Sequence, residues 1–383
     1  MPRPTVPLPR TPDPSETRER APRPHEEIAR PRLKPALRRF ARDSRTLQFG
    51  VHPRRAVVLH DLEPVVLRVI EGLDGTRDLR QVIGHAAAEG LGEDQARTLL
   101  DMLIRRGVVE DAATAPVPLR SLGVAERDRL RPDLDALSLD PGTTDGGLGL
   151  LTRRRATQVR VYGAGRLGAQ IVALLAAAGI GHLCVVDPSP VQPQDVVPGG
   201  LTWAEVGGTR QDGAAAVATR LAPSVNAWTG ERASHPADGA PPPDLAILAP
   251  VEPLDGLLPR ALVEAGVPHL LVSAFEGCGS VGPLVLPGRT ACLGCVDLIR
   301  RDRDPTWPAV SARLGGYPVG EVACGTVQGT EIAAAAAGHA LGWLDGTKDA
   351  VTNGTLDVLP DWGWRRRSWS LHPKCGCSRK QFA

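Results

Sequence analysis

The sequence predicts an α/β protein: a doubly wound, Rossmann-like nucleotide-type domain with a structural zinc site, preceded by a small α+β winged-helix domain. Three observations lead there. The stretch Thr157 to Asp187, TQVRVYGAGRLGAQIVALLAAAGIGHLCVVD, runs as strand, glycine turn, helix and strand. Beyond it, short apolar runs alternate with helix-period stretches, the pattern of repeated βαβ units. Two tight cysteine pairs, Cys292-Leu293-Gly294-Cys295 and Cys375-Gly376-Cys377, stand near the C-terminus.

The totals bound the answer. A chain of 383 residues suffices for two domains and a sizeable core. Its net charge of +2 gives no global pull toward nucleic acid, which is not expected as a partner. No apolar run reaches the length of a membrane span, and the Pro- and Arg-rich N-terminus lacks an apolar signal core, so no membrane partner and a cytoplasmic location are expected. Seven cysteines in that compartment favour metal over disulfides.

Residues 1–31 are Pro-rich, charged and nearly without large apolar side chains, and are expected to be a disordered tail. Residues 32–111 form the first domain. Leu47 to Val51 and Ala56 to Leu59 read as two strands joined by the turn His52-Pro53-Arg54-Arg55. Helical spacing predicts helices over Pro64 to Leu73, Leu79 to Glu89 and Glu93 to Arg106, with Val108-Val109 as a closing strand. Residues 112–155, with Pro116, Pro118, Pro132 and Pro141, are expected to be a linker whose piece AERDRLRPDL is helical.

Residues 156–383 form the second domain. Gly163, Gly165 and Gly168 allow a sharp turn and a close approach to a phosphate. The following helix offers unpaired N–H groups to that anion, and Asp187, 19 positions beyond Gly168, is placed to take ribose hydroxyls. Downstream, helices are expected over Gln211 to Ala222, Leu258 to Ala265 and Gly329 to Leu344. Strands are expected at Ala246 to Leu248 and His269 to Ser273, with Leu284-Val285 near an edge of a parallel sheet. Cys292, Cys295, Cys375 and Cys377 would close a tetrahedral Zn2+ site with no open position, hence a structural one. His372 is a nearby alternative ligand or a bystander. Cys184 on a strand and Cys278 in a Gly-rich loop read as inert. Cys324 reads as a small residue at the start of a helix, with a nucleophilic role as the alternative.

Two resemblances sharpen these expectations. The segments FGVHPRRAVVLHDLEPVVLRVIEGLDGTRDL and LLDMLIRRGVVED resemble the PqqD-like leader-peptide recognition element of ribosomal-peptide maturation systems. Such a domain is expected to take a peptide as an added strand, here against the edge strand near Leu47 to Val51 and the exposed face of the helix carrying Arg97, Asp101 and Arg105. The segments VRVYGAGRLGAQIVALLAAAGIGHLCVVD, PDLAILAP, GVPHLLVSAFEGCGSVGPLVLPGRTACLGC and ACGTVQGTEIAAAAAGHAL resemble the ubiquitin-activating-like superfamily that includes ThiF and MoeB. That resemblance implies MgATP, adenylation of a peptide or small-protein C-terminus, a structural zinc and a homodimer.

Several charges of that family are absent. Its Asn-x-x-Arg-Gln segment falls on Asp195-Val196-Val197-Pro198-Gly199-Gly200, without the arginine. Its lysine corresponds to Arg210, and its magnesium-holding aspartate is replaced, if at all, by Glu252. Arg210 and Glu252 are thus the candidate catalytic groups. Adenylyl transfer rests on positioned charge, so these losses predict little adenylation. The combination resembles the leader-peptide-binding ThiF-like partners of azole-forming (TOMM) cyclodehydratases, in which a separate YcaO-type enzyme uses ATP. The expectation is therefore a peptide-presenting partner protein; the alternatives are an active adenylyltransferase and a regulatory or DNA-contacting scaffold.

Overall fold

The structure is a computed structural model that describes residues 28–140, 142–230, 242–251, 254, 256–313, 324–347 and 350–377. The tail expected over 1–31 therefore lies outside the described residues up to residue 27. The chain divides into two compact units, Met1–Ala115 with Asp135–Gly147, and Pro116–Leu134 with Leu148–Ala383.

The first unit has a three-stranded antiparallel sheet, β2 (Arg39–Asp43), β3 (Thr46–Phe49) and β4 (Val57–Leu59), in the order β2-β3-β4. A second pair, β1 (Pro31–Leu33) with β5 (Val109–Asp111), is also antiparallel. Three helices follow β4: α1 (Pro64–Glu71), α2 (Leu79–Ala88) and α3 (Glu93–Arg105). The start of α2 is fixed by a reciprocal cap, with Gln81 N–H donating to Asp78 Oδ1 at 2.9 Å and Asp78 N–H to Gln81 Oε1 at 3.0 Å. Such a cap contributes about 1 kcal/mol. Val69, Ile70, Val82, Ala86, Leu99, Leu100 and Leu103 close the core on Phe49 and Leu59. Ile28 is buried in the same core, so ordered chain begins ahead of residue 32.

Two expectations for this unit are corrected, the first being an exposed face on α3 that includes Asp101, which is buried. The strand near Leu47 to Val51 is β3, which is paired on both sides and is not an edge. The missed neighbour is β2, Arg-Phe-Ala-Arg-Asp, exposed at all five positions. A strand without a buried face carries no alternation to read. The stretch expected as a linker is largely helical, with α4 (Val124–Ser138) and α5 (Leu148–Ala156). The expected helical piece AERDRLRPDL lies within α4, which carries Pro132 inside it, and α5 is the helix that was not expected.

The second unit is built on an eight-stranded mixed sheet of order β13-β12-β11-β10-β9-β6-β7-β8. Its strands are β6 (Gln158–Tyr162), β7 (His182–Val186), β8 (Asn226–Thr229), β9 (Leu245–Leu248), β10 (His269–Phe275), β11 (Cys278–Val285), β12 (Gly354–Val358) and β13 (Trp364–Ser368). The helices are α6 (Gly168–Ala177), α7 (Arg210–Leu221), α8 (Leu257–Glu264), α9 (Leu293–Arg303), α10 (Trp307–Arg313) and α11 (Thr326–Leu344). Val159 and Val161 of β6 join one core with residues of α6, α7 and α11. Tyr162 points to the opposite face and packs with Leu258, Leu262 and Trp369. Gly179, at φ 94°, ends α6, and Ile180 N–H returns to Leu175 O at 3.0 Å.

The sheet is parallel from β8 to β10 and antiparallel from β10 to β13, which corrects the all-parallel expectation. The switch is the two-residue turn Glu276-Gly277, at φ 50° and 71°, which folds β11 back on β10 as a hairpin. Leu284-Val285 therefore lies in an interior strand, and Cys278 begins β11 rather than lying in a loop. Among the described residues, no helix is long and apolar enough to cross a membrane.

His269 at the start of β10 is fully buried. Its Nδ1 lies 3.0 Å from Val267 O, and its Nε2 meets no partner among the described residues. Nδ1–H must be the donor, and burial pushes the pKa down to about 4. The unfolded chain takes a proton near 6.5 that the native state refuses until about pH 4. Stability contributed by the neutral ring is thus complete above pH 6.5 and falls as pH drops to 4, by up to about 1.4 kcal/mol per pH unit. Urea unfolding between pH 7.5 and 4.5 is expected to show a slope that His269→Leu reduces by about one proton's worth; an unchanged slope would contradict this assignment.

Candidate functional site

The glycine turn after β6 is held by backbone contacts. A Cβ on Gly163 would lie 2.0 Å from Ala249 O, and one on Gly168 would lie 1.9 Å from Gly163 O. Gly163 also sits at φ 91°, a region open to glycine at little cost. These two glycines are therefore required by packing of β6, β9 and α6. Asp187, at the end of β7, closes the turn: its Oδ2 accepts from Ala164 N–H at 2.8 Å and its Oδ1 from Ser189 N–H at 3.2 Å. Its own N–H donates to Gln211 Oε1 at 3.1 Å, and the residue is 7% exposed.

Gly165 differs from its two neighbours. The space its Cβ would take holds the chain's own side chains, with Val251 Cγ2 at 2.6 Å and Asp195 Oδ1 at 3.3 Å. In nucleotide-binding loops the second glycine leaves that space to the pyrophosphate. Asp195 ends a single 3-10 turn, Pro193–Asp195, and is 1% exposed. Arg210, the first residue of α7 and 3% exposed, meets it as a fork, Nε to Oδ2 at 2.8 Å and Nη2 to Oδ1 at 3.1 Å. Oδ2 accepts a further bond from Gln192 N–H at 2.8 Å. This bidentate pair fixes both groups and cancels the Arg210 charge beside the loop.

Arg166, inside the glycine turn, donates to Gln194 O and, at 2.9 Å, to Thr326 Oγ1 at the start of α11. Both acceptors are neutral, so its charge is not cancelled there. Cys324 lies beside it, partly buried, and burial pushes its thiol pKa up. The structure therefore brings Gly163, Gly165, Gly168, Asp187 and Arg210 together. Glu252 lies outside the described residues. Asp195 and Val251 were missed from sequence. Asp195 stood where the resembling family has asparagine, and a carboxylate there facing an arginine at the lysine position was the signal available.

The second constellation is the cysteine cluster. Cys292 caps α9 and Cys295 lies in its first turn, where the helix dipole favours thiolate. Cys375 and Cys377 come from the C-terminal segment. The four Sγ atoms lie within 4.8 Å of one another, with Cys292–Cys295 at 3.8 Å, Cys292–Cys375 at 3.6 Å and Cys295–Cys377 at 3.4 Å. A tetrahedral ion with Zn–S bonds of about 2.3 Å separates its sulfurs by about 3.8 Å, so the group can hold a metal ion. Burial, then the sulfurs of Cys295 and Cys375, push the Cys377 thiol up to about 12.

His372 is no ligand in this geometry. Its backbone N–H lies 3.4 Å from Cys295 Sγ, its Nδ1 accepts from Lys374 N–H at 3.2 Å, and its Nε2 faces Asp302 Oδ2 at 2.8 Å. With Nδ1 accepting, the ring proton sits on Nε2 and is donated to Asp302, which braces the loop carrying Cys375. A cavity of about 760 Å³ opens on Cys292, Cys375 and Cys377 beside Arg260, Arg301 and Lys374. It lies against the cysteines, not at the glycine turn.

A model of the ThiF family matches residues 146–377, which takes in the glycine turn, the eight-stranded sheet and all four clustered cysteines. The chain belongs to the ThiF family. No curated protein matches this ThiF-family chain. Among solved structures, Escherichia coli MccB with succinimide is similar at a TM-score of 0.69 and 14% identity, over 92% of this chain and 99% of that one. Escherichia coli MccB with AMPCPP and MccA gives a TM-score of 0.67 at 13% identity, over 91% and 99%. PaaA gives 0.65 at 17% identity, over 88% and 99%. Identities this low establish a shared fold.

For the cysteine cluster, Cys292→Ser or Cys375→Ser protein is expected to lose about one equivalent of zinc by elemental analysis. His372→Gln should retain zinc but bind it about 10–100-fold more weakly in chelator competition. Unchanged zinc content in both serine variants would contradict a four-thiolate site.

Proposed function

We propose that this ThiF-family chain binds a leader-like peptide and presents it to a separate modifying enzyme, without adenylating it. The observation that carries the reading is the buried Asp195–Arg210 pair beside Gly165, with Val251 in the glycine's space. These residues do not fit the phosphates of MgATP. A triphosphate approaching Gly165 would meet an isopropyl group and a carboxylate, and the cation at the family's lysine position is bound to that carboxylate. Phosphate chemistry depends on free positioned charge, so no adenylation step is derived.

Peptide capture falls to residues 32–111, within the first unit, as a PqqD-like element. Its sheet has two edges among the described residues. β2 is exposed on both faces, whereas β4 buries Val57 and Leu59 against the core and leaves Val58 half-buried. A peptide added to β4 would extend a sheet that already has an apolar side, which supports β4 as the docking strand. Structures of MccB with MccA support a peptide-handling role. The modifying enzyme would be a YcaO-type cyclodehydratase acting in trans in the cytoplasm, the bound metal Zn2+, and the assembly a homodimer.

The second reading is an active adenylyltransferase. It is favoured by the structure of MccB with ATP and by Arg166, whose hydrogen bonds among the described residues go to neutral acceptors. Under it, Asp187 would take the ribose and Glu252 the magnesium.

Pyrophosphate exchange separates the two. The wild-type chain, offered MgATP and candidate precursor peptides, is expected to exchange no label above a protein-free blank. Removing one member of a buried pair costs about 3–5 kcal/mol, so the pair must be changed together. D195N/R210K, which frees a cation at that position, is expected to raise nucleotide affinity. Robust exchange by the wild-type chain would overturn the proposal.

A further inference from the structure

The eight-stranded sheet ends at β13, Trp-Arg-Arg-Arg-Ser, which pairs with β12 and with no other strand among the described residues. All five residues are exposed. Long, exposed sheet edges invite pairing with another chain, and charge on the edge decides which chain. Here three successive arginines stand on the edge, and their surroundings hold them ready.

Arg367 forks onto Asp357 of β12, Nη2 to Oδ1 at 2.7 Å and Nε to Oδ2, in a half-exposed pair that still leaves it open to a second carboxylate. It stacks over Trp369 at 5.5 Å from the ring centroid. Arg300 at the end of α9 lies over the same ring at 5.8 Å, which adds a second cation to that face. Arg366 donates to Ala350 O at 2.9 Å and Ser368 Oγ at 2.7 Å, both neutral. Arg365 has no polar partner among the described residues. On the other face, Trp364 is 40% exposed and fixed by its Nε1–H to Glu331 at 2.9 Å.

We propose that β13 is a docking edge for an extended acidic segment of a partner protein, which adds as a ninth strand. The charge pattern rejects a second copy of this chain. Antiparallel self-pairing centred on Arg366 would set Arg366 against Arg366 and Arg365 against Arg367, and like charges directly opposite are destabilising. A strand with acidic residues at alternate positions instead meets Arg365 and Arg367 on one face, while its backbone takes the open ladder. The open row of main-chain groups on β13 is completed by a peptide backbone and not by a phosphodiester backbone, so an acidic peptide is favoured over nucleic acid. This surface is independent of the glycine turn and of the proposed peptide site in the first unit.

The probe is a fluorescein-labelled peptide, Asp-Val-Asp-Val-Asp-Val-Asp, titrated into the full chain and read by polarisation and hydrogen exchange. Saturable binding with protection of amides in 364–368 is expected. R365E/R367E should weaken it about tenfold or more, as two attractive cross-strand pairs become repulsive. If the loss of the Arg367–Asp357 pair prevents folding, Arg365→Glu alone should still weaken binding severalfold. Undiminished binding by the folded variant, protection confined to other strands, equal binding of the Lys-Val counterpart peptide, or displacement by an equal concentration of a single-stranded oligonucleotide would each overturn it.

Discussion

The backbone of Gly163 runs so close to Ala249 that a single methyl group would overlap a carbonyl oxygen, and Gly168 meets Gly163 in the same way. That double approach ties β6, α6 and the end of β9 into one rigid corner. Asp187 adds the third tie by accepting the N–H of Ala164. The corner also determines what stands over the glycine turn. Val251 follows Ala249 by two residues, and holding Ala249 against Gly163 delivers the valine to Gly165. A contact that makes the sheet thus also fills the space a phosphate would use.

The buried Asp195–Arg210 pair acts on the same place by charge. An arginine here without its carboxylate would be a buried, uncompensated cation, and the carboxylate without the arginine a buried anion. Together they are neutral and satisfied, so the two residues support each other and leave little field for a triphosphate. In this ThiF-family chain the carboxylate and the arginine beside the glycine turn are bound to each other. That is the physical basis for proposing a presenting rather than an adenylating role. The cysteine cluster fits such a role, because four thiolates around a metal ion would close its coordination shell and would join α9 to the C-terminal segment without an open position for chemistry.

Much of this was legible in the sequence, for definable reasons. The turn at Gly163 and the strands on either side of α6 carried both periodicity and punctuation, and their positions agree with β6 and β7. The paired cysteines were legible from spacing, because two close pairs need only one ion to bring them together. Strands with no buried face were not: β2 and β13 are wholly exposed and rich in arginine, so no alternation marked them. The reversal of the sheet at Glu276-Gly277 was hidden because a residue other than glycine takes positive φ there. The Asp195–Arg210 pair was visible only as two separate departures from a family pattern. Their complementarity appears once α7 begins beside the turn that ends at Asp195.

The cradle formed by Gly165, Asp195, Arg210 and Val251 is proposed not to accept a nucleoside triphosphate. Calorimetric titration of the full chain with magnesium-AMPCPP tests it without requiring a substrate peptide. No saturable heat is expected at sub-millimolar nucleotide. Stoichiometric binding with a micromolar dissociation constant would contradict it.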